Sequence, residues 1–189
     1  MNYIIEDYKS KIVNHYSSIW GGDFEERKWL KGSIMQVVPH FCVLEYKPSS
    51  SREMWTYATC GMSTSSHKSP IEVHIFSFVQ DDSIIELLSA VCYYHNIEDN
   101  LDLGHTVHFG RSWQDSSESS FGLLSLPYLD GPNLEIMHWS NDKNIYFYWL
   151  IPVTKTEVEY KKEFCLEALE AKFDANEFNY LDPNRRSVV

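Results

Sequence analysis

Residues 144–163, NIYFYWLIPVTKTEVEYKKE, constrain this chain most, because a strand signal there runs straight into a helix start. Ile145, Phe147, Trp149 and Ile151 alternate with Tyr146, Tyr148 and Leu150, so both faces of such a strand are apolar. That pattern belongs to an interior strand. Pro152 has no N–H to give to a ladder and is expected to end the strand, and TKTE at 154–157 has the capping-box form that opens a helix. The junction specifies architecture; none of its residues has the look of a reaction centre.

The other elements follow from the same two periodicities. Ile4, Tyr8, Ile12, Tyr16 and Ile19 recur at helical spacing over residues 1–20, and Gly21-Gly22 supplies a stop. Residues 23–31 read as a turn or one more helical turn. Strands are expected at 34–38, 41–47, 54–59 and 70–79; in the last, Ile71, Val73 and Ile75 share one face and Glu72, His74, Phe76 and Phe78 the other. A helix opens at Asp81-Asp82-Ser83, with Ser83 and Glu86 as a capping box and Ile84, Leu87, Leu88, Val91 and Cys92 as its core stripe. A glycine turn and a short strand occupy 100–110. The serine-rich stretch 111–120 reads as an exposed loop.

Apolar residues return at 121–128, and a turn at Asp130-Gly131-Pro132 leads to an alternating strand at 134–139, which a hairpin through 141–143 joins to the strand at 144–151. A closing helix runs from Lys155 to about Phe173 with a break near Phe164-Cys165, and the tail YLDPNRRSVV reads as polar and loosely docked. This order implies an α+β fold with a mixed, largely antiparallel sheet and packed helices. No linker among the 189 residues is long or biased enough to divide them, so one domain is expected over 1–189, with the N-terminal helix 1–20 packed on it.

Acidic residues outnumber basic ones 27 to 16, a net charge of -11 that repels phosphate backbones and anionic lipid; it serves solubility and would also speed encounter with a basic protein partner. No nucleic-acid or membrane partner is expected. No stretch has the form of a secretion signal or a membrane span, which points to a soluble, cytoplasmic protein. Cys42, Cys60, Cys92 and Cys165 form no C-x-x-C pair, and most of them suit small core residues.

His105 and His108, three apart on a strand, face opposite ways and make a poor chelating pair; Glu72 and His74 share a face but read as a rim pair rather than as metal ligands. Cys60, before Gly61 and near His67, is the least poor nucleophile. No phosphate-cradling, Walker-type or G-x-S-x-G stretch occurs, so no catalytic residue, metal or cofactor is assigned.

Seven stretches, in order along the chain, carry a family resemblance: YATCGMS at 57–63, PIEVHI at 70–75, LGHTVHFG at 103–110, GLLSLPY at 122–128, IPVTKTE at 151–157, EALEAKFD at 167–174 and YLDPNRRSV at 180–188. Together they resemble the Suppressor of fused (SUFU) domain family in its bacterial single-domain form. The resemblance implies a compact α+β domain that is not an enzyme and binds protein. In eukaryotic members the partner is a transcription factor, held by an extended peptide added as a strand; bacterial members often act as immunity proteins that neutralise a toxin. It also implies partner-binding residues. The eukaryotic cleft uses a tyrosine late in a helix and an aspartate after a glycine; setting that glycine at Gly104 puts the tyrosine at Tyr93 and the aspartate position at His105. The first matches and the second does not, and the second domain that closes the eukaryotic cleft is not expected here. The reading is therefore an immunity protein for a basic toxin, with a regulatory scaffold that sequesters an extended peptide as the alternative.

Overall fold

A computed structural model describes residues 2–64, 69–140 and 143–189. Its elements are α1 (Asn2–Trp20), β1 (Phe24–Arg27), α2 (Ile34–Val37), β2 (Cys42–Tyr46), β3 (Trp55–Cys60), β4 (Ile71–Ser77), α3 (Ser83–Ile97) and β5 (Thr106–His108), followed by β6 (Phe121–Ser125), α4 (Pro132–Glu135), β7 (Ile136–Ser140), β8 (Lys143–Val153), α5 (Lys155–Phe164) and α6 (Leu166–Ala175). The strands form one sheet in the order β1-β2-β3-β4-β8-β6-β5, with β7 also on β8. The β4–β8 pair is parallel and the other described pairs are antiparallel.

The aromatic strand is interior, as its two apolar faces require. β4 lies along one side of β8, while β7 pairs with its first half and β6 with its second. Tyr148 and Leu150 enter a core under α2 and α3; Ile145 and Phe147 pack beneath α1; Trp149, Ile151 and Val153 pack beneath α5 and α6. Helices thus cover both faces of the sheet. Pro152 does not end the strand. β4 has left β8 after Trp149, and the Pro152 carbonyl turns away from β6 to accept from Arg185 at 2.8 Å. The nitrogen of the same residue points the same way, so the ladder to β6 needs no donor there.

The helix start reads as expected. Thr154 accepts from the Glu157 N–H, and Glu157 accepts from the Thr154 N–H at 2.8 Å. The expected break falls at Cys165, whose φ of 107° separates α5 from α6.

Several expectations are corrected. Residues 34–37 are helical with Val38 as the C-cap, because the buried pair Ile34 and Val38 lies four apart, a helical and not a strand spacing. Residues 24–27 form a strand on β2, where Arg27 reaches the buried Glu45 carboxylate at 2.7 Å. Ser83 makes no capping box: the N-cap is Asp82, and Asp81 accepts from the Ser83 N–H at 2.8 Å. The expected strand at 134–139 begins only at Ile136, after α4. The hairpin residues 141 and 142 lie outside the described residues.

Two polar stretches are packed. In 111–120 Trp113, Gln114, Ser117 and Ser119 are buried, with Arg111 donating to the carbonyls of Ser112, Trp113 and Ser83 and Gln114 donating to Ser77. The tail is bound by Arg185, which pairs with the fully buried Glu157 at 2.7 Å, and by Tyr180, whose ring meets Trp149 edge-on at 5.0 Å.

Candidate partner-binding surface

α3 buries Ile84, Leu87, Leu88, Val91 and Cys92, as its apolar stripe dictates, and leaves Tyr93 half-buried on its flank. Tyr93 lines two shallow grooves. One, of about 370 Å³, lies against Trp29 and Ile34; the other, of about 200 Å³, lies against Val107, His108 and Phe109 of the β5 end.

Among the described residues β5 has a neighbour on one side only, so it forms an open sheet edge. The His105 carbonyl accepts from Leu124 at 2.9 Å and the Phe109 N–H donates to Ser120 at 2.9 Å, so residues 105, 107 and 109 turn their backbone toward β6. The N–H and C=O of Thr106 and His108 therefore face outward, where an added strand would pair.

The turn before β5 is held from the opposite side. Gly104 has φ of 77°, and a Cβ there would lie 3.4 Å from Leu166 at the start of α6. Its N–H donates to Leu124 at 2.8 Å and its carbonyl accepts from the Lys161 ammonium. Burial, and then the neighbouring Lys162 charge, lower the Lys161 pKa. His105 is exposed. The fold thus joins Gly104 and His105 in one turn fixed by α5 and α6. Tyr93 approaches β5 from α3, through a groove that this turn does not line.

The Glu72 and His74 pair is not at a rim: both side chains are fully buried under α1. The Glu72 carboxylate accepts from Thr59 at 2.5 Å, from the N–H groups of Gly61, Met62 and Ser63, from the Ser63 hydroxyl at 2.5 Å and from Tyr8 at 3.1 Å. Those donors occupy it with structural work, tying α1 and the turn after β3 to β4. His74 lies 3.7 Å from the buried Asp130 carboxylate, which also binds Arg52 and accepts from Trp20 at 2.8 Å. Burial, and then the Arg52 charge, lower its pKa to about 3, so it is a neutral ring at ordinary pH.

Cys60 is buried opposite Cys42 on the neighbouring strand, and contact with that sulfur, then burial, push its thiol well above the ordinary value. That is the reverse of an activated nucleophile. His67, its expected neighbour, lies outside the described residues. Among the described residues no three or more His, Cys, Asp and Glu gather as a metal site, and no helix is long and apolar enough to cross a membrane.

Residue patterns did not reveal a groove of about 630 Å³ between α6 and the β6–β8 face. Its lining comes from Tyr128, Trp149 and Phe173 together with the tail residues Phe178 and Tyr180, which are far apart in sequence. A packed tail is what brings them together. Two helix-covered faces, an open strand edge and apolar grooves define a layered α+β domain.

The Suppressor of fused protein (SUFU) family model matches residues 38–186, and the chain belongs to that family. A SUFU homologue from Neisseria gonorrhoeae has the same fold with a TM-score of 0.84 at 32% identity, over 97% of this chain and 98% of that one. A chain of the Sufu-Fu complex aligns with a TM-score of 0.69 at 12% identity, over 96% of this chain and 92% of that one. Drosophila Suppressor of Fused aligns with a TM-score of 0.67 at 13% identity, over 96% of this chain and 51% of that one. The last two share the fold. No curated protein matches the chain.

Proposed function

We propose that this chain is a cytoplasmic, non-enzymatic protein-binding domain that acts as an immunity protein, holding a basic toxin and neutralising it. The observation that carries the reading is the net charge of -11 on a domain of a protein-binding family. Such a field raises the encounter rate with a cationic partner and repels nucleic acid, so it suits an inhibitor that must outcompete the toxin's own substrate. The test is co-expression with the product of the neighbouring gene. A stable complex and protection from its toxicity are expected; no complex and no protection would sink the reading.

The open edge of β5 favours a second reading, in which the partner is a regulatory protein bound as an extended strand along β5. Tyr93 then packs on the added strand from α3, while Gly104 and His105 shape the turn at which it enters. Substituting Tyr93 and His105 together separates the mechanisms: binding that survives unchanged moves the interface away from this edge.

A further inference from the structure

α6 leans on the sheet through Leu169 and Phe173, and just after it the chain reverses at Glu177, whose φ is 50°. The returning segment lays Phe178 on Phe173 at 4.2 Å and Tyr180 on Trp149. The reversal leaves the 630 Å³ groove open, a volume within the range of about 300–1,000 Å³ of sites that take a ligand. Its floor is apolar, formed by Trp149, Ile151 and Phe173. Across from α6 stand Tyr128 and Leu129, which are 58% and 47% exposed although large and apolar.

The rim on the α6 side is anionic. Glu170, Asp174 and Glu177 follow one another at spacings of four and three, which places them along one stripe of the helix and its exit. None of the three is in an ion pair among the described residues. Glu170 accepts from Ser125 at 3.1 Å and from Tyr128 at 3.4 Å. Arg185, whose guanidinium lies over Phe178, is committed to Glu157 and so does not neutralise the rim. The field reaches across the groove: after burial, the carboxylates of Glu170, Glu135 and Asp174 raise the Tyr128 pKa.

We infer that this groove docks a segment of a protein partner in which an apolar side chain is flanked by lysine or arginine. The apolar group fills the aromatic floor and the cations meet the three carboxylates. A second copy of this chain is a poor occupant, since each copy carries a net charge of -11. The groove lies on the face covered by α5 and α6, away from the α3 side of β5, so the inference stands whether or not the partner is a toxin.

The experiment uses the full chain and three labelled synthetic peptides. They are Lys-Arg-Trp-Leu-Lys-Arg, its charge-reversed form Glu-Asp-Trp-Leu-Glu-Asp, and Lys-Arg-Ser-Ser-Lys-Arg, which lacks the apolar pair. Fluorescence anisotropy measures binding, and backbone amide NMR shifts locate it. The first peptide is expected to bind with shifts confined to α6, residues 125–129, residues 149–151 and residues 177–181, and the other two at least tenfold more weakly. E170Q/D174N/E177Q is expected to cost about tenfold in affinity and Leu129→Ser several-fold, with both variants melting as the parent does. Failure of the first peptide to bind, equal binding of the reversed peptide, or shifts elsewhere would overturn the inference. None of these results bears on toxin protection, so the groove and the immunity reading fail separately.

Discussion

His74 shows how a buried titratable group can serve the fold rather than a reaction. Its ring packs near Trp20 and Phe76 at 5.2 Å, and neither of its nitrogens has a hydrogen-bond partner among the described residues. Protonation would place a cation beside Arg52 in a dry interior, which is why its pKa falls from the ordinary 6.5 to about 3. A histidine with a depressed folded pKa contributes its full stability above pH 6.5 and loses it as the pH falls toward 3. The loss amounts to about 4 kcal/mol between pH 7 and pH 3. His74→Phe keeps an aromatic ring and removes the titration, so the variant should be less acid-sensitive than the parent by up to that amount. Urea midpoints measured from pH 7 to pH 3 check this; parallel pH profiles would refute it.

At the scale of elements, two single changes probe the joints that position the surface. Cys165 has φ of 107° and ψ of 172°, a region suited to glycine, and it sets the angle between α5 and α6. Cys165→Gly relieves backbone strain of about 1–3 kcal/mol while giving up part of that to unfolded-chain entropy. A net gain of about 1 kcal/mol is expected, seen as a higher denaturant midpoint with an unchanged slope. On β5 the His108 N–H points outward, so His108→Pro leaves the ladder to β6 intact and blocks an incoming strand. It should melt within a few degrees of the parent and lose any partner held by strand addition in a pull-down; retained binding would exclude that mode. These joints also mark how far the sequence could be read. The β8–α5 junction was legible because its signals are local: alternation, a capping box, a break. β1 was not, because four residues, FEER, gain strand character only from pairing with β2. The order of packing on residues 111–120 and on the tail was hidden for a related reason, since Gln114 and Arg185 are buried by partners 37 and 28 positions away. Of the candidate site, the Gly104 turn followed from its glycine, whereas the relation of Tyr93 to β5 and the groove beneath α6 depend on contacts that sequence spacing does not encode.

For the molecule as a whole, charge is the property most open to measurement. A net charge of -11 acts over distances set by salt, about 30 Å at 0.01 M and 8 Å at 0.15 M. Under the immunity reading the toxin is basic, and its approach is guided by this field before any contact forms. Contacts made after docking are short and poorly screened, so they govern departure rather than arrival. The two can be separated kinetically. Stopped-flow association with the toxin should slow at least tenfold between 0.01 and 0.15 M salt, while the dissociation rate changes little. E170Q/D174N/E177Q removes three of the negative charges and should flatten the salt dependence of association. Were those residues also in contact with the toxin, dissociation would quicken as well, because their own interactions would be lost. A salt-independent association rate would mean that the acidic balance serves solubility alone, and it would withdraw the observation on which the choice of a basic partner rests.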